Sequence, residues 1–207
     1  MTIEFCAVDK SYGHRVVLRN VTASVAGRAA ITGANGTGKS TLLGMAATIL
    51  RPTDGTITIA GHDTRSAATS ARQALGFAPQ MPSLYPDLTP LEHIGWWRRL
   101  HHVGSTPDDC LANLAAAGLR LVADRPTRQL SAGQRQRLSL CLAMAHNPEV
   151  LLLDEPFTWL DANGVAWLQD ALAARTGTTL MAVQDYASVA GLCERHLHLG
   201  ATGLEEK

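Results

Sequence analysis

Gly33-Ala34-Asn35-Gly36-Thr37-Gly38-Lys39-Ser40-Thr41 fits the pattern G-x-x-x-x-G-K followed by Ser or Thr, directly after the apolar run Ala29–Thr32 and directly before a helical pattern. Glycines let such a backbone curl until successive N–H groups face one point, and the helix N-terminus adds partial positive charge there. A turn of this kind cradles phosphate. Lys39 would reach the β- and γ-phosphates of a nucleotide, and the Ser40 hydroxyl would serve Mg²⁺. Four fixed positions match by chance in roughly one chain in a hundred of this length, and the strand-loop-helix context lowers that further.

A second feature belongs with the first. Val150-Leu151-Leu152-Leu153-Asp154-Glu155 reads as a buried strand ending in two carboxylates. Alone, such a pair is most often only solvated. At the carboxyl edge of a parallel sheet that also carries a phosphate loop, Asp154 suits Mg²⁺ and Glu155 is placed to polarise an attacking water.

Composition narrows the class. The 207 residues suffice for one substantial domain, and 46% hydrophobic against 17% charged residues is the range of a folded globular chain. Eighteen Lys and Arg balance eighteen Asp and Glu, so there is no basic field for nucleic acid or an anionic membrane surface. No run approaches the ~20 apolar residues of a spanning helix. The start, Met1-Thr2-Ile3-Glu4, has no signal-peptide character, and Cys6, Cys110, Cys141 and Cys193 lack metal or disulfide spacing, so a cytoplasmic chain with reduced thiols is expected.

Strand-like runs fall at Ile3–Val8, Val16–Val25, Ala29–Thr32, Thr56–Ala60, Leu75–Ala78, Val150–Leu153, Thr178–Val183 and His196–Leu199. A helix is predicted over Lys39–Leu50, stopping before the turn Arg51-Pro52-Thr53-Asp54-Gly55. Others should open at Thr89-Pro90-Leu91-Glu92 and Thr106-Pro107-Asp108-Asp109, the second stopping at Ala117-Gly118. No convincing strand falls between Tyr85 and Asn147. The expectation is one α/β domain, with a core over 1–84 and 148–200, a helical insertion over 85–147, and a short charged tail, 201–207, frayed or foreign to the fold.

Leu130-Ser131-Ala132-Gly133-Gln134-Arg135-Gln136-Arg137 resembles the signature motif of ATP-binding-cassette (ABC) ATPases, and the chain is similar to that family from end to end. The resemblance implies a P-loop NTPase (RecA-like) core with an N-terminal antiparallel β part and an inserted α-helical subdomain. It implies ATP and Mg²⁺ as ligands, bound by the phosphate loop of one subunit and capped in trans by Ser131, Gly133 and Gln134 of another, in a homodimer or a heterodimer with a second cassette. By the same likeness Tyr12 stacks on adenine, Ser40, Asp154 and Gln80 attend the metal, Asp161 sits in an intersubunit loop, and Glu155, Gln80 and Gln184 serve hydrolysis. Trp159, in that loop, is bulky for the motif.

Two residues depart from the family pattern. Ala132 stands where glycine is commoner, tolerable where φ is negative. Gln184 stands where the family places a His that contacts the γ-phosphate. Its amide donates a hydrogen bond but carries no charge, a loss on the order of 1–2 kcal/mol or roughly ten-fold in rate, so an active but slow ATPase is expected. His196 and His198 alternate with Leu197 and Leu199 in the next strand, and strand placement accounts for them.

A cassette of this length has no room for a translocation path, so the resemblance implies separate integral membrane subunits, docked between Gln80 and Trp97 where Tyr85, Leu88, Trp96 and Trp97 lie, and a peripheral position on the cytoplasmic face of the inner membrane. The motif with Ala132, together with Asp154 to Val165, is most similar to the ATP-binding subunit of cytochrome c biogenesis (haem export) systems. A generic drug or lipid exporter, a slow regulatory cassette paired with an intact one, and a soluble non-transport ABC ATPase are the alternatives; neutral charge disfavours nucleic-acid or ribosomal partners.

Overall fold

A computed structural model describes residues 1–104, 106–200 and 203–207. The chain divides into two units, one formed by Met1–Phe77, Glu149–Glu155 and Thr176–Lys207, the other by Ala78–Pro148 and Pro156–Arg175.

The first unit is built on two sheets. Strands β1 (Ile3–Tyr12), β2 (Arg15–Val25), β4 (Asp54–Ile59) and β5 (His62–Asp63) form an antiparallel sheet in the order β2-β1-β4-β5. The second sheet runs β10-β9-β3-β8-β7-β6, from β3 (Arg28–Thr32), β6 (Leu75–Ala78), β7 (Val150–Asp154), β8 (Thr178–Ala182), β9 (Arg195–Gly200) and β10 (Gly203–Glu206). Strands β9, β3, β8 and β7 are mutually parallel. Every residue of β7 and β8 is buried. A parallel strand covered on both faces has no solvent side to mark with polar residues, which is why β7 reads as an uninterrupted apolar run.

Helix α1 (Lys39–Ala46) lays Leu42, Leu43, Met45 and Ala46 into a core shared with Ile31, Leu152 and Leu180. It is shorter than the Lys39–Leu50 predicted from sequence. The backbone turns left-handed at Thr48 (φ 60°), and the N–H groups of Ile49 and Leu50 both donate to the Gly44 carbonyl at 2.9 and 3.0 Å, closing the helix end. Apolar periodicity continues through Leu50 because that side chain still packs on the core.

The charged C-terminus also departs from expectation. Gly203–Glu206 is strand β10, antiparallel to β9, and Glu206 takes both oxygens to the Arg195 guanidinium at 2.7 and 2.8 Å. Residues 201 and 202 of the expected tail lie outside the described residues.

The second unit contains α3 (Pro90–Leu100), α4 (Pro107–Ala116), α5 (Ala132–Met144) and α6 (Ala162–Ala173), packed through Ile94, Cys110, Leu114, Leu119 and Leu138; a short α2 (Ala68–Gln73) belongs to the first unit. Thr89, Thr106 and Ser131 each close a capping box, with Glu92, Asp109 and Gln134 respectively. Among the described residues no helix is long and apolar enough to cross a membrane.

Candidate nucleotide site

Strand β3 delivers the chain directly into the glycine loop. At Gly33 a Cβ would stand 2.5 Å from the Leu199 carbonyl oxygen, and at Gly38 (φ 104°) one would stand 2.8 Å from Leu18 Cδ2, so both positions exclude a side chain. Gly38 caps α1 without a side-chain bond, and the first turn holds no acid. Its free N–H groups are therefore donors available to an anion, with no acidic side chain of the turn itself to take them. Asn35 and Gly36 are exposed, and Thr37 closes the loop through its N–H and hydroxyl on the Ala34 carbonyl, at 3.3 and 2.9 Å. Lys39 is buried, with Nζ arched back over the loop to donate to the Gly33 and Ala34 carbonyls at 2.6 and 3.3 Å. Thr41 follows Ser40 in the first turn of α1.

Register brings the acids beside this loop. Ile31 pairs with Ala182 across β3 and β8, and Ala182 pairs with Asp154 across β8 and β7. The residues that follow each of these, including Gly33, Gln184 and Glu155, leave one sheet edge together.

Asp154 is 5% exposed and its Oδ1 has no hydrogen-bond partner. Burial pushes its carboxyl above the usual carboxylate range, against the Ser40 hydroxyl that donates to it and the Lys39 ammonium nearby. An orphaned buried acceptor beside a hydroxyl is a hard oxygen set that fits Mg²⁺. Glu155 is half-buried and left-handed (φ 49°), a conformation a non-glycine residue holds only under constraint. Its N–H donates to the Ala182 carbonyl at 2.9 Å. Burial lifts its carboxyl too, Lys39 opposes, Asp154 adds to the rise, and the Gln184 backbone opposes it. The Gln184 side chain is exposed.

Tyr12 ends β1 with half its surface exposed, and Lys10 Nζ sits 4.7 Å over the ring while donating to the Arg51 carbonyl at 2.8 Å.

The other predicted site residues belong to the second unit. Gln80 is exposed two residues past β6. Ser131 caps α5, accepting from the Gln134 N–H at 3.2 Å while its own N–H reaches Gln134 Oε1 at 2.9 Å. Ala132 opens the helix in ordinary helical backbone, so its methyl is accommodated. Gly133 is obligatory for another reason: a Cβ there would lie 2.7 Å from the carbonyl oxygen of Trp159, itself left-handed at φ 63°. Ser131, Gly133, Gln134, Arg137, Trp159 and Asp161 border a cleft of ≈ 620 Å³.

Sequence reasoning missed Arg137. Its guanidinium pairs with Asp161, the N-cap of α6, and donates to the Ala117 carbonyl at 3.2 Å. A Cβ at Gly118 or Gly164 would come within 2.6 or 2.9 Å of it. Those two glycines were the available signal.

A phosphate loop, a strand-end acid pair and a capped Ser-x-Gly-Gln helix define a nucleotide-binding cassette. Residues 19–158 match the family model described as ABC transporter, and the chain belongs to that family. It has the family's fold, a P-loop NTPase core with an antiparallel N-terminal sheet and a helical subdomain. It is 35% identical over 200 residues to Nod factor export ATP-binding protein I of Burkholderia orbicola, covering 93% of this chain and 66% of that one. It is 38% identical over 142 residues to the cytochrome c biogenesis ATP-binding export protein CcmA of Cupriavidus necator, covering 69% and 63%. The chain thus spans somewhat under two thirds of these relatives' lengths. A solved dimeric ATP-binding cassette in a post-hydrolysis state, bound to ADP and Pi, superposes with TM-score 0.87 at 26% identity, covering 99% of this chain and 97% of that one.

Proposed function

We propose that the chain is the nucleotide-binding, ATP-hydrolysing subunit of a membrane ABC transporter, closing as a dimer around two Mg-ATP. The observation that carries this is the register of β3, β8 and β7, which sets a buried Asp154 with one oxygen unpartnered and a constrained Glu155 level with the loop that holds Lys39. In this reading Tyr12 stacks on adenine, the N–H groups of residues 33–41 and Lys39 hold the phosphates, and Ser131, Gly133 and Gln134 of a second copy meet the γ-phosphate from the other side. Glu155 takes the proton of the attacking water, and a carboxyl lifted by burial above its ordinary value is a stronger base for that step. Asp154 and Ser40, with Gln80, are the residues that would hold Mg²⁺, which supplies charge neutralisation at the phosphates. Gln184 completes the site with a neutral donor, and turnover is slow for that reason. In purified protein with Mg-ATP, Glu155→Gln should lower kcat by at least about a hundred-fold; turnover within a few-fold of wild type would remove Glu155 from the mechanism.

For the cargo we favour haem export in cytochrome c maturation, supported by the run Asp154 to Val165 and the likeness to the Cupriavidus relative. The longer aligned span of the Nod factor export relative favours a second reading, a generic drug or lipid exporter. Transport in either form needs integral membrane subunits, for which Tyr85 (58% exposed) and Trp96 (38%) offer an aromatic surface. Affinity purification from detergent-solubilised membranes should recover integral membrane proteins with this chain. Recovery of ribosomes or nucleic acid instead would reverse the assignment to transport.

A further inference from the structure

The segment that follows β8 starts beside Glu155: Ala182 pairs with Asp154 and its carbonyl accepts the Glu155 N–H at 2.9 Å, two residues before Gln184. What fixes that backbone is then part of the chemistry. Gln184 and Asp185 are exposed, so neither side chain anchors the segment to the core. The turn Tyr186–Ser188 is locally rigid, with Asp185 accepting the Ala187 N–H at 3.0 Å and its carbonyl accepting the Ser188 hydroxyl at 2.7 Å. Tyr186 ties this turn to the sheet. Its ring lies parallel to that of His196 on β9, with centroids 4.1 Å apart and planes 3° apart, and its hydroxyl reaches the Cys193 carbonyl at 3.5 Å.

His196 is itself oriented from the loop side. Thr32 is 7% exposed and is the last residue of β3 before Gly33; its hydroxyl oxygen lies 2.7 Å from His196 Nε2 and 3.3 Å from His198 Nδ1. One hydroxyl carries one proton, so it donates to one ring nitrogen and accepts from the N–H of the other. That arrangement locks both rings, and the plane of His196 sets where Tyr186 rests. A continuous set of contacts therefore runs from the base of the phosphate loop, through Thr32, His196 and Tyr186, to the segment that starts beside Glu155.

We propose that His196 is a positioning residue for hydrolysis, holding the Gln184 segment against Glu155 by its stack on Tyr186 and its bond to Thr32. The proposal rests on the reading of Glu155 as the base. Because the contact acts on the water-activating side, its loss should appear in kcat and not in KM.

Steady-state hydrolysis of Mg-ATP by the full chain tests it. Tyr186→Ala and His196→Ala should each lower kcat about ten-fold with KM within about two-fold, and the double variant should lose no more than either single one. His196→Phe keeps the aromatic face but not the Thr32 bond and should recover part of the loss; a kcat no higher than that of His196→Ala would remove the stack from the account. Unchanged kcat in Tyr186→Ala, a rise in KM at constant kcat, or losses that multiply in the double variant would overturn the positioning role. Should His196→Ala fail to fold, Tyr186→Ala decides alone, since its half-buried ring is not core. Glu155→Gln in the same assay separates the two ideas: if it alone leaves turnover intact, the base assignment fails first and the positioning role falls with it.

Discussion

Glu155 and Asp154 are adjacent carboxylates with different surroundings. Asp154 is the last residue of a strand buried throughout, with one oxygen unpartnered, whereas Glu155 leaves that strand through a left-handed turn with its N–H on the Ala182 carbonyl. Burial raises both carboxyls, and Lys39 opposes both. Two such groups suit two tasks, an inner acceptor for a cation and an outer base. Gln184 is one of the two positions, with Ala132, at which the resemblance leads one to expect another residue. Replacing it by His restores a donor able to carry charge, and charge-assisted bonds are about twice as strong as neutral ones. Gln184→His should raise kcat about ten-fold at saturating Mg-ATP; an equal or lower rate would place the slow step elsewhere. The motif residues were legible one by one, because glycine positions and strand-end acids are local features. Arg137 was not, because a lone arginine and two glycines far apart in sequence carry no joint pattern until α5 and α6 pack.

At the scale of elements, strands and capping boxes followed from sequence because their determinants lie within a few residues. Strand β10 did not: Gly203–Glu206 holds its place through pairing with β9 and through Arg195, neither of which periodicity registers. The end of α1 is hidden from periodicity because packing at Leu50 mimics helical period. Within α3 the sequence also concealed a buried polar junction. His93 is 2% exposed, its Nε2 accepts the Tyr85 N–H at 3.0 Å, and its Nδ1–H donates to the Thr89 carbonyl at 2.9 Å. Only the neutral ring makes both bonds. Burial holds its pKa below the ordinary imidazole value, with Thr89 and Glu92 opposing. For a base depressed in the folded state, the unfolded chain binds the proton first. The stability it lends is complete above about pH 6.5 and is lost as pH falls through the folded value. Urea unfolding at pH 7.5 and 5.5 should show a larger loss in wild type than in His93→Gln; equal losses would mean that His93 is not the titrating group.

For the whole molecule, the balance of eighteen basic and eighteen acidic residues leaves no long-range field, so partners must be selected by surface shape and by nucleotide. In the proposed function the phosphate loop holds the nucleotide from one side and the N-terminus of α5 meets it from the other. In the proposed dimer a second copy supplies the missing half, and ATP is the bond between copies. Blocking hydrolysis should therefore trap the closed form. The measurement is size-exclusion chromatography with light scattering on Glu155→Gln at micromolar concentration, with and without Mg-ATP. A dimer is expected with Mg-ATP and a monomer without it, the dimer being lost when Ser131→Arg is added. A monomer in both conditions, with ATP shown to be bound, would contradict closure around nucleotide.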